Sequence, residues 1–135
     1  MNSKKDYLFE CEFTVRDYEV DLQGVVNNAN YMHYLEHARH EFLLLHNIDF
    51  ALLHNEGKDL IVTKAELKYK LPLTSRDRFV VKLNVRKEGN IQVVFEQDIF
   101  RLSDNKHVLA AKITGACLYN GRPVIPTEVL SALSL

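Results

Sequence analysis

Asp21, Gly24, Asn27, Asn28 and Asn30 bring a carboxylate, a turn-former and three amide-capping side chains within one short stretch. A carboxylate can take a proton from water or attack a carbonyl itself. The asparagines mark a helix start, because their side-chain oxygens accept from first-turn amides that otherwise lack partners. Such a start presents free N–H groups and about half a positive charge, a setting that favours a developing oxyanion. Gly24 lets the chain double back between the two, since a residue without Cβ tolerates positive φ. The combination suits acyl transfer. The plain structural alternative is a loop aspartate that bonds turn amides or caps the helix.

Other groups nearby compete for attention. Asp17 and Glu19 precede Asp21 and are read as solvent-exposed or ion-paired with Arg16. Glu36 and Arg39 stand three apart on the helix, a spacing that permits a pair worth about 0.2–0.5 kcal/mol, and are read as structural. His33-Tyr34-Leu35-Glu36-His37 fits the H-x-x-E-H pattern of a zinc peptidase class, and His40 extends the histidine face. That face lies opposite the apolar stripe, and no second helix is at hand to bring another ligand. A solvated or interface-facing cluster is the reading adopted, with no metal site. His46, His54 and His107 show no ligand-like spacing. Cys11 and Cys117 sit in strand-like alternations, where a buried inert thiol is the expectation.

The elements that must position these groups follow from periodicity. Tyr31, Tyr34, Leu35, Ala38, Phe42 and Leu45 recur at helical spacing, which predicts a long helix over about 28–46 that buries one face. Before it, residues 7–15 alternate as a half-buried strand. After it, Ile48, Phe50, Leu52 and Leu53 suggest a short helical turn ended by Gly57. The period then switches to two. Ile61, Thr63, Ala65, Leu67, Tyr69 and Leu71 form one face of a strand closed by Pro72; Phe79 to Val85, Ile91 to Ile99 and Val108 to Tyr119 follow, with turn signals at Glu88-Gly89-Asn90 and Ser103-Asp104-Asn105. Thr127 is expected to cap a terminal helix over 128–133. One strand, a long helix, then four strands joined by tight turns argues an α+β domain with a largely antiparallel sheet packed over the helix. Val80, Val94 and Phe100 are expected on its outer face, where a second copy could cover them.

Length and charge bound the function. A chain of 135 residues with 47% hydrophobic content is expected to form one domain, 1–135, with a sizeable core. Its 17 basic and 18 acidic residues form no long block, which argues against nucleic acid or an anionic membrane as the main partner. No run of about 18 apolar residues exists, and Met1–Asp6 is polar with no signal-peptide character, so a soluble cytoplasmic protein is expected.

The stretch V-R-D-Y-E-V-D-L-Q-G-V-V-N-N-A-N-Y-M-H-Y-L-E-H-A-R, Val15 to Arg39, resembles the hot-dog-fold acyl-CoA thioesterases of the 4-hydroxybenzoyl-CoA thioesterase-like group. A-E-L-K-Y-K-L-P at Ala65 to Pro72, Asp77 and G-R-P-V-I-P at Gly121 to Pro126 add support, and the likeness covers nearly the whole chain. The resemblance implies a long central helix wrapped by a curved antiparallel sheet of about five strands, assembled as a homodimer or a dimer of dimers. It implies hydrolysis of an acyl-CoA without cofactor or metal. Asp21 matches the acidic residue that serves as general base or nucleophile, and Asn28 the position whose amide polarises the carbonyl. Gly24, Val26 and Tyr31 match substrate-binding positions, Gly24 as the turn glycine and Tyr31 as the first-turn aromatic. Many relatives carry histidine where this chain has Asn28, which leaves open whether its side chain contributes. Lys64, Lys68, Lys70, Arg76 and Arg78 suit either the phosphates of coenzyme A or a solvated strand face. Alternatives within reach are an acyl carrier protein as donor, and a non-hydrolytic protein that binds acyl thioesters.

Overall fold

The computed structural model describes residues 6–135; the polar opening segment read above for the absence of a leader lies, up to residue 5, outside them. Five long strands, β1 (Phe9–Thr14), β2 (Lys58–Tyr69), β3 (Arg78–Glu88), β4 (Gln92–Arg101) and β5 (Lys106–Tyr119), form one antiparallel sheet in the order β1-β3-β4-β5-β2. A two-residue strand, β6 (Arg122–Pro123), folds back on β5 through Asn120-Gly121, both at positive φ. The long helix α1 (Asn28–Leu45) lies against the sheet, followed by α2 (Phe50–Asn55); α3 (Thr127–Leu133) ends the chain. This is the α+β sheet over a helix that the elements argued, in the hot-dog arrangement that the resemblance implied.

The core lies between α1 and one face of the sheet. Tyr31, Tyr34, Leu35, Ala38, Phe42 and Leu43 meet Phe79, Val81 and Leu83 of β3, Phe95 and Ile99 of β4, and Leu109 and Ile113 of β5. The register lines these residues up, with Val81 opposite Ile99 and Ile99 opposite Leu109, so one period-two set points inward. Phe79 stacks on Phe13 at 5.1 Å and meets Tyr34 at 4.7 Å, which fastens β1 to the first turns of α1.

Four expectations change. The apolar stripe of α1 ends on Leu43, which is buried and lines a cavity with Phe50 of α2 and Val129 and Leu133 of α3, and not on Leu45, which is 68% exposed. β2 does not alternate throughout: its pairing with β5 shifts between Val62 and Lys64, so Leu60, opposite Cys117, shares the face of Ala65 and Leu67, and Ile61 does not. Val80 and Val94 are already buried within a single chain. Thr127 is the first residue of α3 and Pro126 holds the cap position, with no side-chain cap.

Candidate active site

The loop between β1 and α1 is built on Glu19. This residue ends a 3-10 turn, Asp17–Glu19, and is 6% exposed. Its Oε1 accepts from the Arg16 main-chain N–H and from the Tyr34 hydroxyl, both at 2.8 Å, and its Oε2 lies 3.5 Å from Arg16 Nη1. Its main-chain carbonyl accepts from Asn27 N at 3.1 Å and Asn30 Nδ2 at 2.8 Å. One buried glutamate thus ties the loop's entry to the first turn of α1. The expected pairing with Arg16 is present, but burial and the bond to Tyr34 were not legible in local spacing. Burial, and then the Glu19 hydrogen bond, push the Tyr34 phenol well above its ordinary range.

Asp21 stands in the hairpin that follows. Val20 bridges Val26, Asp21 N donates to Val25 O at 2.8 Å, and Gly24 N donates to Asp21 O at 3.0 Å with Gly24 at φ +78. The glycine is there for that backbone angle. The Asp21 carboxylate is exposed; its Oδ1 accepts from Gln23 N at 2.9 Å and Val25 N at 3.4 Å, an Asx turn. Its Oδ2 has no partner among the described residues.

At the helix start, Asn27 is the cap and its Oδ1 accepts from Ala29 N at 2.9 Å, while Asn30 N donates to Asn27 O. Asn28 is the first helical residue. Its main-chain N–H and its exposed side chain are both unpartnered among the described residues. Asn27 N bonded to Glu19 O therefore places Asp21 and Asn28 just beyond opposite ends of one hydrogen bond. A free carboxylate oxygen and a free helix-start amide are the two groups that acyl transfer needs.

Val26 and Tyr31 are buried and converge on Leu73: Val26 N donates to Leu73 O at 2.8 Å, and Leu73 N donates to the Tyr31 hydroxyl at 3.1 Å. Burial raises the Tyr31 phenol's pKa. Asp77 accepts from Thr74 N and Oγ1, which stiffens the loop that receives Val25 and Val26. Val26 and Tyr31 thus hold the hairpin against the β2–β3 loop.

Among the described residues, cavities flank α1 and the sheet, and Asp21 lines none of the three described below. One of about 510 Å³ lies between β1 and α1, bordered by Glu12, Arg16, Glu19, His33, Tyr34 and His37. His33 and His37 are exposed there, with His37 Nε2 3.4 Å from Glu41 Oε1. A second, of about 330 Å³, lies on the outer sheet face between Glu66, Lys68, Lys70, Glu96, Asp98 and Lys112. Of the five basic residues singled out above, Lys64 pairs with Glu66, Arg76 with Asp17 and Arg78 with Glu12, which leaves Lys68 and Lys70 as cations without an ion pair among the described residues.

The third cavity, about 350 Å³, is the apolar one. It lies farther along α1, lined by Leu43, Phe50, Leu60, Val62, Val93, Phe95, Ile113, Cys117, Ile125, Val129 and Leu133, with Glu36, Arg39 and His40. The Glu36–Arg39 pair that the spacing permits is not formed among the described residues. Arg39 is 6% exposed and donates from Nη1 to Gln97 Oε1 at 3.0 Å, and Gln97 Nε2 donates to Leu35 O at 3.0 Å. Two signals pointed there: Arg39 is four residues after Leu35 and three before Phe42, on the flank of the stripe, and Gln97 occupies a core register of β4. Burial lowers the pKa of Arg39 and of His40, and raises that of Cys117.

No helix among the described residues is long and apolar enough to cross a membrane. The model of the thioesterase-like superfamily matches residues 15–133. The chain is 40% identical over 124 residues to the chloroplastic acyl-acyl carrier protein thioesterase ATL3 of Arabidopsis thaliana, covering 90% of this chain but only 65% of that protein's length. It is 32% identical over 127 residues to the acyl-CoA thioesterase YbgC of Haemophilus influenzae, covering 89% of this chain and 91% of that one. Among solved structures, a 1,4-dihydroxy-2-naphthoyl-CoA thioesterase from Synechocystis superposes with a TM-score of 0.88 at 17% identity, over 93% of this chain and 95% of that chain, a likeness of fold. With the family match spanning the Asp21 hairpin, α1 and strands β2 to β5, the chain belongs to the thioesterase-like superfamily of hot-dog proteins.

Proposed function

We propose that this chain hydrolyses acyl thioesters at Asp21 and the Asn28 main-chain amide. The observation that carries the reading is that the two family-matched positions hold the groups local bonding leaves free, Oδ2 of Asp21 and N–H of Asn28. The thioester carbonyl accepts from Asn28 N–H at the positive end of α1. Asp21 takes a proton from water as it attacks the carbonyl carbon, or attacks that carbon itself to form an anhydride that water then opens. The carbonyl oxygen gains negative charge facing the amide, and the thiolate departs. An oxyanion donor of this kind supplies about 3 kcal/mol and a positioned base about 10²–10⁴-fold in rate. Gly24 sets the turn that aims Asp21, while Val26 and Tyr31 shape the substrate's seat through Leu73.

Coenzyme A is the carrier we assign first, with Lys68 and Lys70 the cations open to its phosphates. Acyl carrier protein is the second reading, favoured by the 40% identity to the plant enzyme named for that donor. A second copy adds its sheet along β2, the edge strand whose Ile61, Val62 and Tyr69 are exposed. The reaction's water-borne carriers suit the cytoplasm as its compartment. Thiol release from matched acyl-CoA and acyl carrier protein panels tests the reading: turnover with one carrier assigns it, and tight acyl-CoA binding without turnover on any chain length replaces hydrolysis with a binding role.

A further inference from the structure

Arg39 is a charge that nothing in the proposed chemistry uses. It is 6% exposed, and its one hydrogen bond is to the neutral amide of Gln97 at 3.0 Å. Glu36, on the same cavity, acts on it electrostatically, but among the described residues no carboxylate stands within ion-pair distance of it, although buried charges are ordinarily paired. Among the described residues no fully sealed side-chain nitrogen lacks a partner, so Nε and Nη2 of Arg39, which have none there, keep access to open space. Arg39 lines the apolar cavity together with Leu60, Phe95, Ile113, Val129 and Leu133. The cavity's volume of about 350 Å³ is in the range of small-molecule sites. A wholly hydrocarbon occupant would strip water from a guanidinium and offer nothing in return.

Resting on the hydrolytic reading above, we infer that this cavity receives the far end of the substrate's acyl group, and that Arg39 selects groups bearing a hydrogen-bond-accepting oxygen there, a hydroxyl or a carboxylate. The position along α1 sets which end. Arg39 is eleven residues beyond Asn28, about 16 Å at 1.5 Å per residue, so an oxygen that meets it is remote from a thioester held at the helix start. Guanidinium N–H groups bond such an oxygen with charge assistance, bidentately for a carboxylate. A site that holds a polar donor in this way discriminates strongly against analogues lacking the acceptor.

Calorimetric titration of the purified full chain with non-hydrolysable pantetheine thioethers corresponding to dodecanoate, 12-hydroxydodecanoate and dodecanedioate, whose reacting end carries no carboxylate to meet Arg39, tests this without requiring turnover. The expected result is binding of the two oxygenated thioethers at least tenfold tighter than the dodecanoate one. Arg39→Met should erase that preference while leaving affinity for the dodecanoate thioether in place, and Val129→Phe, which narrows the cavity from α3, should weaken all three. A stronger gain for the diacid thioether assigns a carboxylate, and a stronger gain for the hydroxy acid thioether assigns a neutral oxygen. Equal affinities in the wild type, or a preference that survives in Arg39→Met, overturn the inference. If Arg39→Met does not fold, the wild-type comparison alone decides. Preference for the oxygenated thioethers without cleavage of the matching thioesters would sink the hydrolytic reading and leave the selective pocket standing.

Discussion

The Tyr34 hydroxyl donates to Glu19 Oε1 at 2.8 Å, a bond between α1 and the loop that carries Asp21, made out of contact with bulk water. It is the side-chain half of a clamp whose main-chain half is the Asn27 N to Glu19 O bond at 3.1 Å. Loop and helix start are therefore held as one unit. Removing the hydroxyl with Tyr34→Phe leaves a buried carboxylate short of a donor, and should lower unfolding free energy by about 1.5–3 kcal/mol in urea titration. A loss below about 0.5 kcal/mol would mean that water replaces the phenol.

Tyr34 and Tyr7 both hold their protons above the ordinary tyrosine range of about 10, chiefly through burial and next through hydrogen bonds to Glu19 and Asp98. Above pH 10 the unfolded chain releases these protons while the folded chain keeps them, so the unfolded state gains. Stability is thus intact below about pH 10 and should fall as pH rises beyond it. Melting temperature measured from pH 8 to 11 should show this decline, flattened in the Tyr7→Phe, Tyr34→Phe double variant.

Asp21→Asn separates chemistry from structure, because the asparagine oxygen can still accept from Gln23 N and keep the turn. Thiol release should fall by about 10²–10⁴-fold with the melting temperature within a degree or two of wild type. Undiminished turnover would remove Asp21 from the mechanism.

Asn28 offers a test of the amide itself. It is the first helical residue, where proline is tolerated, and Asn27 before it already has the extended angles, φ −67 and ψ 143, that proline requires. Asn28→Pro deletes the N–H and should keep the fold while kcat drops by about 10²–10³-fold. Asn28→Ala retains the N–H and should retain most activity. Equal loss in both would assign the effect to the side chain.

Asn27→Ala removes the cap on Ala29 N, a bond of 2.9 Å. Chemical denaturation should show a loss of about 1 kcal/mol. No change would mean that another acceptor serves that amide.

Short-range chemistry made much of this protein readable from its residues. The Asn27 cap, the Gly24 turn, the hairpin at Gly89 and the period-two strands other than β2 depend on neighbours a few positions away, and they stand where spacing put them. Asp21 and Asn28 were legible for the same reason, as a turn carboxylate and a helix-start amide. What only tertiary structure decided involves partners far along the chain: Glu19 buried against Tyr34, Arg39 turned from Glu36 to Gln97, Tyr31 latched to Leu73, and the bulge in β2 that puts Leu60 beside the cavity. Local pattern assigns a polar residue to solvent by default. Only the folded chain shows which of them find buried partners, because the cost of burial is met by groups that the order of residues does not place side by side.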